Sequence, residues 1–284
     1  VPGEKSLQKW GIFSCKKHPM LYSLYASFAD WNGVTQPIFA GIKNYVQMFT
    51  ADELFWKSVI NTLYFTLVSV PLNMIVTVVL AVLLNKRLPG FYFFRAVFYL
   101  PSIIAGVAIY IAWSYLLNAD TGIINYMLSK IGLNGVGWLS DPKYSMLSII
   151  LISITSCGGQ MLIVLAGLQD IPKEYYEAAL IDGAGSIRRF FNVTFPLLTH
   201  VIFFNMLMNI IAGLQIYTLP WIMTQGGPLY STYVYGIHLY NNAFRYYNFG
   251  YSSALAWMLF IIILLISLIV FATSKFWVYY REDT

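Results

Sequence analysis

Charged residues are scarce in this chain. Asp, Glu, Lys and Arg make up 10% of its 284 residues, whereas apolar residues make up 58%. A soluble globular domain carries about 25% charged residues, so this chain has too few to cover a water-facing surface of its size. The composition therefore predicts an integral membrane protein, with lipid replacing water over much of the surface.

The sequence also lacks the patterns of a metal or disulfide site. Its two cysteines, Cys15 and Cys157, are far apart, and its three histidines are scattered. Neither an HExxH nor a CxxC pattern occurs, which argues against a metal centre and a disulfide framework. No basic run with interleaved aromatic residues indicates nucleic-acid binding. The positively charged stretch 16–18 interrupts the short apolar segment at the N-terminus, so no secretory signal peptide is indicated.

Two further absences concern the energy source. The chain has no GxxxxGK[ST] motif to cradle ATP phosphates. Its apolar segments contain no Asp, Glu, Lys or Arg in their interiors, whereas proton- and sodium-coupled carriers typically bury such groups along the path. A membrane-embedded enzyme would need polar catalytic pairs in the bilayer, and none is visible. The remaining classes are a transporter driven by a partner protein and a passive channel or facilitator.

Long apolar runs indicate an all-α fold. A spanning helix needs about 20 mainly apolar residues. Five clear transmembrane helices are predicted on this basis, at 59–84, 96–117, 146–168, 197–219 and 254–276. Pro71 and Pro101 fall inside the first two, where kinks are expected.

Basic residues give a predicted orientation. Eight lie beside the loops on one side, which is therefore expected to be cytoplasmic, and five lie on the other. The first set is Lys86, Arg87, Arg95, Lys173, Arg188, Arg189, Lys275 and Arg281, and the second is Lys43, Lys57, Lys130, Lys143 and Arg245. The C-terminus is then inside, and loops 118–145 and 220–253 are outside.

The N-terminal part does not fit a complete span. Four lysines place residues 1–17 inside by the same rule, but the apolar run 19–29 is too short to cross alone. We expect an abbreviated or incomplete first helix; the alternative is an interfacial helix with the N-terminus outside. The predicted divisions are a cytoplasmic segment 1–18, a first-helix remnant and periplasmic lead-in 19–57, a membrane domain 58–277 and a cytoplasmic tail 278–284.

The loop 169–195, after the third span, carries the most informative pattern. Pro172 suits a helix start and the following nine residues form helices well. Asp182-Gly183 indicates a turn, with Asp182 able to cap a second short helix. An ordinary amphipathic surface helix would explain this much, but not the spacing of the whole motif, which runs through Glu177, Ala178, Ala179, Asp182, Gly183, Ala184, Val193, Phe195 and Pro196.

That spacing resembles the EAA loop of binding-protein-dependent ABC importer permeases: EAA, three residues, G, nine residues, I, one residue, LP. Val193 and Phe195 are mild departures, and His200 stands where sugar permeases often have a second proline. The resemblance covers roughly residues 19–284 and includes Gly41 to Tyr45, Asn61 to Leu63 and Phe249 to Ala254. Thr224 to Pro228 is similar to the larger permease subunit of maltose-type importers.

The resemblance implies a multi-pass subunit in the bacterial inner membrane that alternates between inward- and outward-facing states. It implies a second permease, two ATPase subunits that carry ATP and Mg, and a periplasmic solute-binding protein. The chain itself would hold no cofactor or metal and catalyse no reaction. A cytoplasmic coupling helix would dock on an ATPase through Glu177, Ala178, Ala179, Asp182, Gly183 and Ala184.

The substrate implied by the resemblance is a carbohydrate. Sugars are bound by hydrogen-bonding side chains and aromatic faces. The polar candidates in the spans are Gln160, Asn205, Asn209 and Gln215, and the nearby aromatic ones are Tyr110, Trp113, Tyr217 and Trp257. Amides that join helices and rings that anchor at the interface would give the same pattern. The lack of cations in the spans favours a neutral di- or oligosaccharide; an acidic alginate- or pectin-type oligosaccharide is the alternative.

Overall fold

Helices make up most of the chain that the computed structural model describes, which is residues 19–85 and 90–279. The prediction of an all-α membrane protein is confirmed in this respect. The predictions for residues 1–18, for Lys86 and Arg87 and for the end of the tail lie outside the described residues.

Three helices are long and apolar enough to cross a membrane without a break. They correspond to the predicted first, fourth and fifth spans. Pro71 lies inside the first without ending it, as membrane helices tolerate when neighbours satisfy the freed carbonyl. These helices are α3 (Glu53–Asn85), α11 (Phe195–Leu214) and α14 (Phe249–Ser274).

The predicted second and third spans are not single helices. Helices α4 (Phe91–Ile103) and α5 (Gly106–Leu116) meet at 100°, and α7 (Pro142–Ile154) and α8 (Gly158–Gln169) meet at 47°. The first bend follows Pro101, where Ile104 is extended. At the second, a Cβ on Gly158 would overlap the backbone of Phe98, so a glycine permits this contact. The described residues thus contain three spans, or five if each bent pair is one.

The predicted end of the fourth span, at residue 219, is wrong. Helix α11 ends at Leu214, and α12 (Thr218–Thr224) starts after a break in which Tyr217 leaves the helical conformation (φ −143°, ψ −56°). Pro220 explains the break, because proline lacks an N–H and is accommodated in the first turn of a helix rather than in its interior. Hydropathy alone does not detect it, since the residues on both sides are apolar.

Short elements surround these spans. Helix α1 has nine residues, too few to cross a bilayer, and lies along α14, where the Trp257 Nε1–H donates to Ser23 Oγ (3.2 Å). Strands β1 and β2 pair antiparallel, with Ala29 opposite Phe39. The remaining elements are α1 (Pro19–Ser27), β1 (Ala29–Asp30), β2 (Ile38–Phe39), α2 (Lys43–Thr50), α6 (Ile123–Lys130), α9 (Lys173–Ile181), α10 (Ser186–Arg189), α13 (Tyr235–Tyr240) and two π-helical turns, Phe190–Thr194 and Asn241–Arg245.

Two of the three buried apolar clusters in the described residues mark the two ends of the spans. Met161, Leu198 and Leu84 belong to the cluster near loop 170–195. We call this loop the coupling loop, after its predicted role, and we call this side of the protein the coupling-loop end. Phe65 and Ile149 belong to a second cluster, together with buried residues of loop 225–240. We call that side the opposite end.

Candidate substrate cavity and coupling loop

A cavity of about 220 Å³ lies between α3, α5, α8 and α11. Its walls combine apolar side chains with hydroxyl and amide groups, and no charged side chain of the described part of the chain lines it. The lining residues are Phe65, Ser69, Val70, Asn73, Tyr110, Ser153, Ser156, Gln160, Asn209, Ala212, Gly213, Ile216 and Leu219.

Two of the predicted amides meet at this cavity. The Gln160 side chain donates from Nε2 to Asn209 Oδ1 at 2.7 Å, and Asn209 Nδ2 donates to the Asn205 carbonyl at 3.0 Å. Gln160 Oε1 is buried and has no hydrogen-bond partner. A buried acceptor without a partner is costly, about 1–3 kcal/mol. Gln160 and Asn209 both line the cavity, so their linked amides are polar groups that a bound hydroxyl would meet there.

Helix breaks and a glycine shape this cavity. Gln160 lies in the first turn of α8, directly after the bend, and Ile216 follows the end of α11. At Gly213, a Cβ would stand 3.0 Å from Thr66 Oγ1, so the glycine lets α3 and α11 approach closely. The breaks within the predicted spans, which hydropathy did not reveal, thus bring polar groups to the wall of the cavity.

The coupling loop folds as two helices joined by a turn that needs glycine. Gly183 has φ +71°, a left-handed conformation that L side chains rarely adopt. Ala184 N–H donates to the Ala179 carbonyl (2.9 Å), and Gly183 N–H donates to the Leu180 carbonyl (3.0 Å). This pair of bonds is a Schellman motif, which ends α9. The predicted helix–turn–helix is present, and its glycine has a defined conformational role.

One detail of the predicted loop is wrong. Asp182 is the C-cap of α9, and Gly185 is the N-cap of α10, which has no side-chain cap. The left-handed turn at Gly183 separates Asp182 from the second helix, so its carboxylate does not cap that helix.

The loop is anchored at its base and exposed at its tip. The Tyr176 hydroxyl lies 3.1 Å from Thr194 Oγ1, and so joins α9 to the residue that precedes α11. At the tip, Ile181 and Ile187 are 88% and 77% exposed. Exposed apolar side chains on both sides of a fixed turn are typical of an interaction site.

This arrangement agrees with a family comparison. Residues 48–276 match the family described as the binding-protein-dependent transport system inner membrane component. The chain belongs to this family. The resemblance inferred from the EAA-type loop is therefore confirmed, and the protein is a multi-pass ABC importer permease.

Individual relatives and a solved structure extend the comparison. A probable ABC transporter permease, YesP of Bacillus subtilis, is 41% identical over 93% of this chain and 86% of its own length. The trehalose/maltose transport permease MalF of Thermococcus litoralis is 33% identical, over 87% of this chain and 83% of its own. A bacterial alginate ABC transporter, crystallised with an alginate-bound periplasmic protein, shares the fold with a TM-score of 0.80 at 21% identity, over 95% of this chain and 93% of its own.

Some predicted path residues of the permease lie away from the cavity lining. Asn205 is buried, and its Nδ2 donates to the Val201 carbonyl of its own helix. Gln215 is the exposed C-cap of α11. Trp257 lies against α1, because α14 packs along that helix. Tyr110 does line the cavity, whereas Trp113 and Tyr217 pack beside the apolar cluster of the opposite end.

Sequence reasoning missed four polar residues of the cavity wall. Asn73 lies in the apolar interior of α3, and the criterion that selected Asn209 would have selected it as well. Ser69, Ser153 and Ser156 also line the cavity. Serines are frequent in membrane helices, where they bond to their own backbone, as Ser153 does to the Ile150 carbonyl. Sequence alone gave no signal for them.

The permease also has a buried polar network at the opposite end. Asp52 precedes α3 and accepts from the Phe55 backbone N–H (3.1 Å) through Oδ1. Its Oδ2 accepts from the Tyr251 hydroxyl (2.6 Å) and lies 3.0 Å from His238 Nε2. His238 Nδ1 lies 3.3 Å from the Tyr233 hydroxyl. Burial lowers the pKa of His238, although Asp52 opposes this shift.

Proposed function

We propose that this permease conducts a neutral di- or oligosaccharide through the cavity at Gln160 and Asn209. It is a sugar ABC importer permease by its relatives, among which MalF is named for trehalose and maltose. The linked amides of Gln160 and Asn209 in the cavity wall are the observation that carries the assignment of the site. Sugar hydroxyls both donate and accept, so they can bond to side-chain amides, and the lining without charged groups favours a neutral substrate.

Within this proposal, Tyr110 and Asn73 also contact the sugar. A tyrosine ring offers an apolar face to a sugar ring and a hydroxyl to its edge. The amide of Asn73 provides donors and an acceptor on the α3 wall. We assign Asn205 a supporting role, because its backbone carbonyl orients Asn209.

The proposed assembly contains a second permease, two ATPase subunits that bind ATP and Mg, and a periplasmic binding protein. It lies in the bacterial cytoplasmic membrane, with each bent helix pair counted as one span and α1 as part of an abbreviated further one. The second permease would cover the α4–α5 face, since α5 has no buried residue. The support for this interface is the exposure of α5, together with the family to which the chain belongs.

The coupling loop would dock on an ATPase subunit through its exposed tip. Glu177, Ala178 and Ala179 lie on α9, with Asp182, Gly183 and Ala184 in the turn that follows. Small alanine side chains permit close approach of a partner. The Tyr176–Thr194 contact would transmit movement of α9 to α11, and α11 carries Asn209 into the cavity.

The test is uptake by the assembled transporter in proteoliposomes, with labelled maltose, trehalose, lactose and trigalacturonate. We expect ATP-dependent uptake of a neutral sugar. Replacing Gln160 or Asn209 by Ala should lower it about tenfold, because one lost hydrogen bond is worth about 0.5–1.5 kcal/mol. Gln47→Ala is the matched control, since Gln47 is an exposed amide on α2.

Each contrary result has a distinct meaning. Uptake that proceeds without ATP contradicts the importer. Unchanged uptake in both cavity variants contradicts the assignment of the cavity, and uptake of trigalacturonate alone contradicts a neutral substrate.

A further inference from the structure

Six aromatic rings contact one another in turn at the opposite end, outside the cavity lining and the coupling loop. We call them the aromatic row: Trp31, Phe249, Phe244, Tyr240, Tyr217 and Trp221. Successive ring centroids lie 5.6 Å apart from Trp31 to Phe249, then 5.9 Å to Phe244, 5.1 Å to Tyr240 and 5.0 Å to Tyr217. Trp221 stacks on Tyr217 at 5.8 Å, with 23° between the rings, and also lies 5.3 Å from Tyr240, so the row ends in a cluster of three rings.

The row ends beside the cavity. Ile216 and Leu219 line the cavity and flank Tyr217 in the chain. Gly236 holds α13 against this point, because a Cβ there would stand 2.6 Å from the Ile216 carbonyl oxygen and 2.9 Å from Tyr217 Cβ. One helical turn later, α13 places Tyr240 over Tyr217. Close backbone contact therefore fixes the row to the cavity wall.

The rings remain accessible along the row. Phe244 is 56% exposed, and the other five rings are partly exposed. Burial and the adjacent Tyr240 raise the pKa of Tyr217 to about 12, so its hydroxyl stays neutral and able to donate at physiological pH. The row thus combines apolar faces with neutral hydroxyl groups, which is the chemistry that binds sugars.

We propose that the aromatic row is a second carbohydrate site, which guides a neutral oligosaccharide from the opposite end of the permease into the cavity. The inference rests on the proposed function. The rings contact one another at centroid distances of 5.0–5.9 Å, so an oligosaccharide that lies along their exposed edges and faces would contact several rings at once and advance from one to the next. An aromatic belt that only anchors the protein at the membrane interface is the competing explanation.

The experiment measures sugar transported per ATP hydrolysed in the assembled transporter, with sugar-loaded binding protein at saturation. The probes are maltose, maltotriose, trehalose and lactose. In the Tyr240→Leu/Phe244→Leu double variant, we expect stimulated ATP hydrolysis within about twofold of wild type and a fall of about fivefold in sugar per ATP. Tyr240→Phe should lower the ratio by about twofold or less, because it keeps the ring and loses only the hydroxyl.

Phe260→Leu is the matched control, since Phe260 is a half-exposed ring on α14 outside the row. If the double variant does not assemble, the single variant Phe244→Leu replaces it, because this ring is already largely exposed. We then expect the sugar transported per ATP to fall about twofold. An unchanged ratio in the assembled variants overturns the guidance site. Absence of ATP-dependent uptake of every probe by the wild type would instead overturn the proposed function.

Discussion

The two ends of the permease are held in different ways. At the opposite end, loop 225–251 is tied to α3 by buried polar contacts: Asn61 Nδ2 donates to the carbonyls of Tyr230 (2.8 Å) and Tyr233 (3.0 Å), and Thr62 Oγ1 accepts from the Tyr235 N–H (2.8 Å). At the coupling-loop end, α9 has no buried residue, and the tip of its loop is exposed.

This difference separates two functions. A buried polar network resists local opening, because each lost partner leaves an unsatisfied group in an apolar environment. An exposed helix with few contacts gains its order from a partner instead. The opposite end therefore supports the substrate path, and the coupling loop is available for an ATPase to hold and move.

Replacing Asp52 is the strongest way to break this contrast. In Asp52→Ala, the hydroxyl of Tyr251, the Nε2 of His238 and the N–H of Phe55 lose a common acceptor. Hydrogen bonds to charged groups are worth about 1.5–3 kcal/mol each, so the three lost bonds predict a fall of at least about 4.5 kcal/mol in the free energy of unfolding. Thermal denaturation in detergent measures it.

Asp30→Ala is the control for this variant. Asp30 pairs with Lys43 at 3.3 Å, but both side chains are largely exposed, and such pairs contribute about 0–1 kcal/mol. Equal stability losses in the two variants would show that the Asp52 network does not hold the opposite end together.

Gly183→Val tests the coupling-loop end. A β-branched residue in the left-handed conformation costs about 1–3 kcal/mol, and the loop would change shape rather than accept that strain. We expect normal thermal stability of the spans, reduced ATPase retention, and a loss of about 2 kcal/mol in docking free energy. Co-purification of the ATPase and substrate-stimulated ATP hydrolysis measure these effects.

Gly185→Val separates the conformational effect from added bulk. Gly185 has an ordinary φ of −65°, and a Cβ there would meet no atom within 4 Å. Its variant should therefore retain more ATPase than Gly183→Val. If the two variants lose ATPase equally, the left-handed turn is not what docking requires.

The sequence predicted the coupling-loop end better than the opposite end. Glycine in a left-handed turn and alanines on a short helix are local features, so residues 177–184 could be interpreted without neighbours. The cavity depends on contacts between distant segments, and hydropathy did not show which side of a span faces them. Gln160 and Asn209 were found because amides are rare in apolar spans, whereas the contact of Trp257 with α1 joins distant segments that the sequence does not bring together.

The smallest effect is expected from lowering the pH, which changes the protonation of one side chain at the opposite end, His238. Neutral His238 satisfies both neighbours: Nε2–H donates to Asp52 Oδ2, and Nδ1 accepts from the Tyr233 hydroxyl. A second proton would abolish that acceptor, and burial lowers the pKa of His238. Below about pH 6.5, the ordinary histidine value, the unfolded chain binds this proton more readily than the folded one.

Stability should therefore be greatest above pH 6.5 and fall as the pH decreases through the folded-state pKa. The slope for one proton is at most about 1.4 kcal/mol per pH unit. We expect the thermal midpoint of wild type to fall more between pH 7.5 and 5.5 than that of His238→Gln, whose amide does not titrate in this range. His200→Gln is the control, because His200 is exposed and should leave the pH dependence unchanged. A His238→Gln profile parallel to wild type would show that another group controls stability here, and that the histidine only fills space in the network.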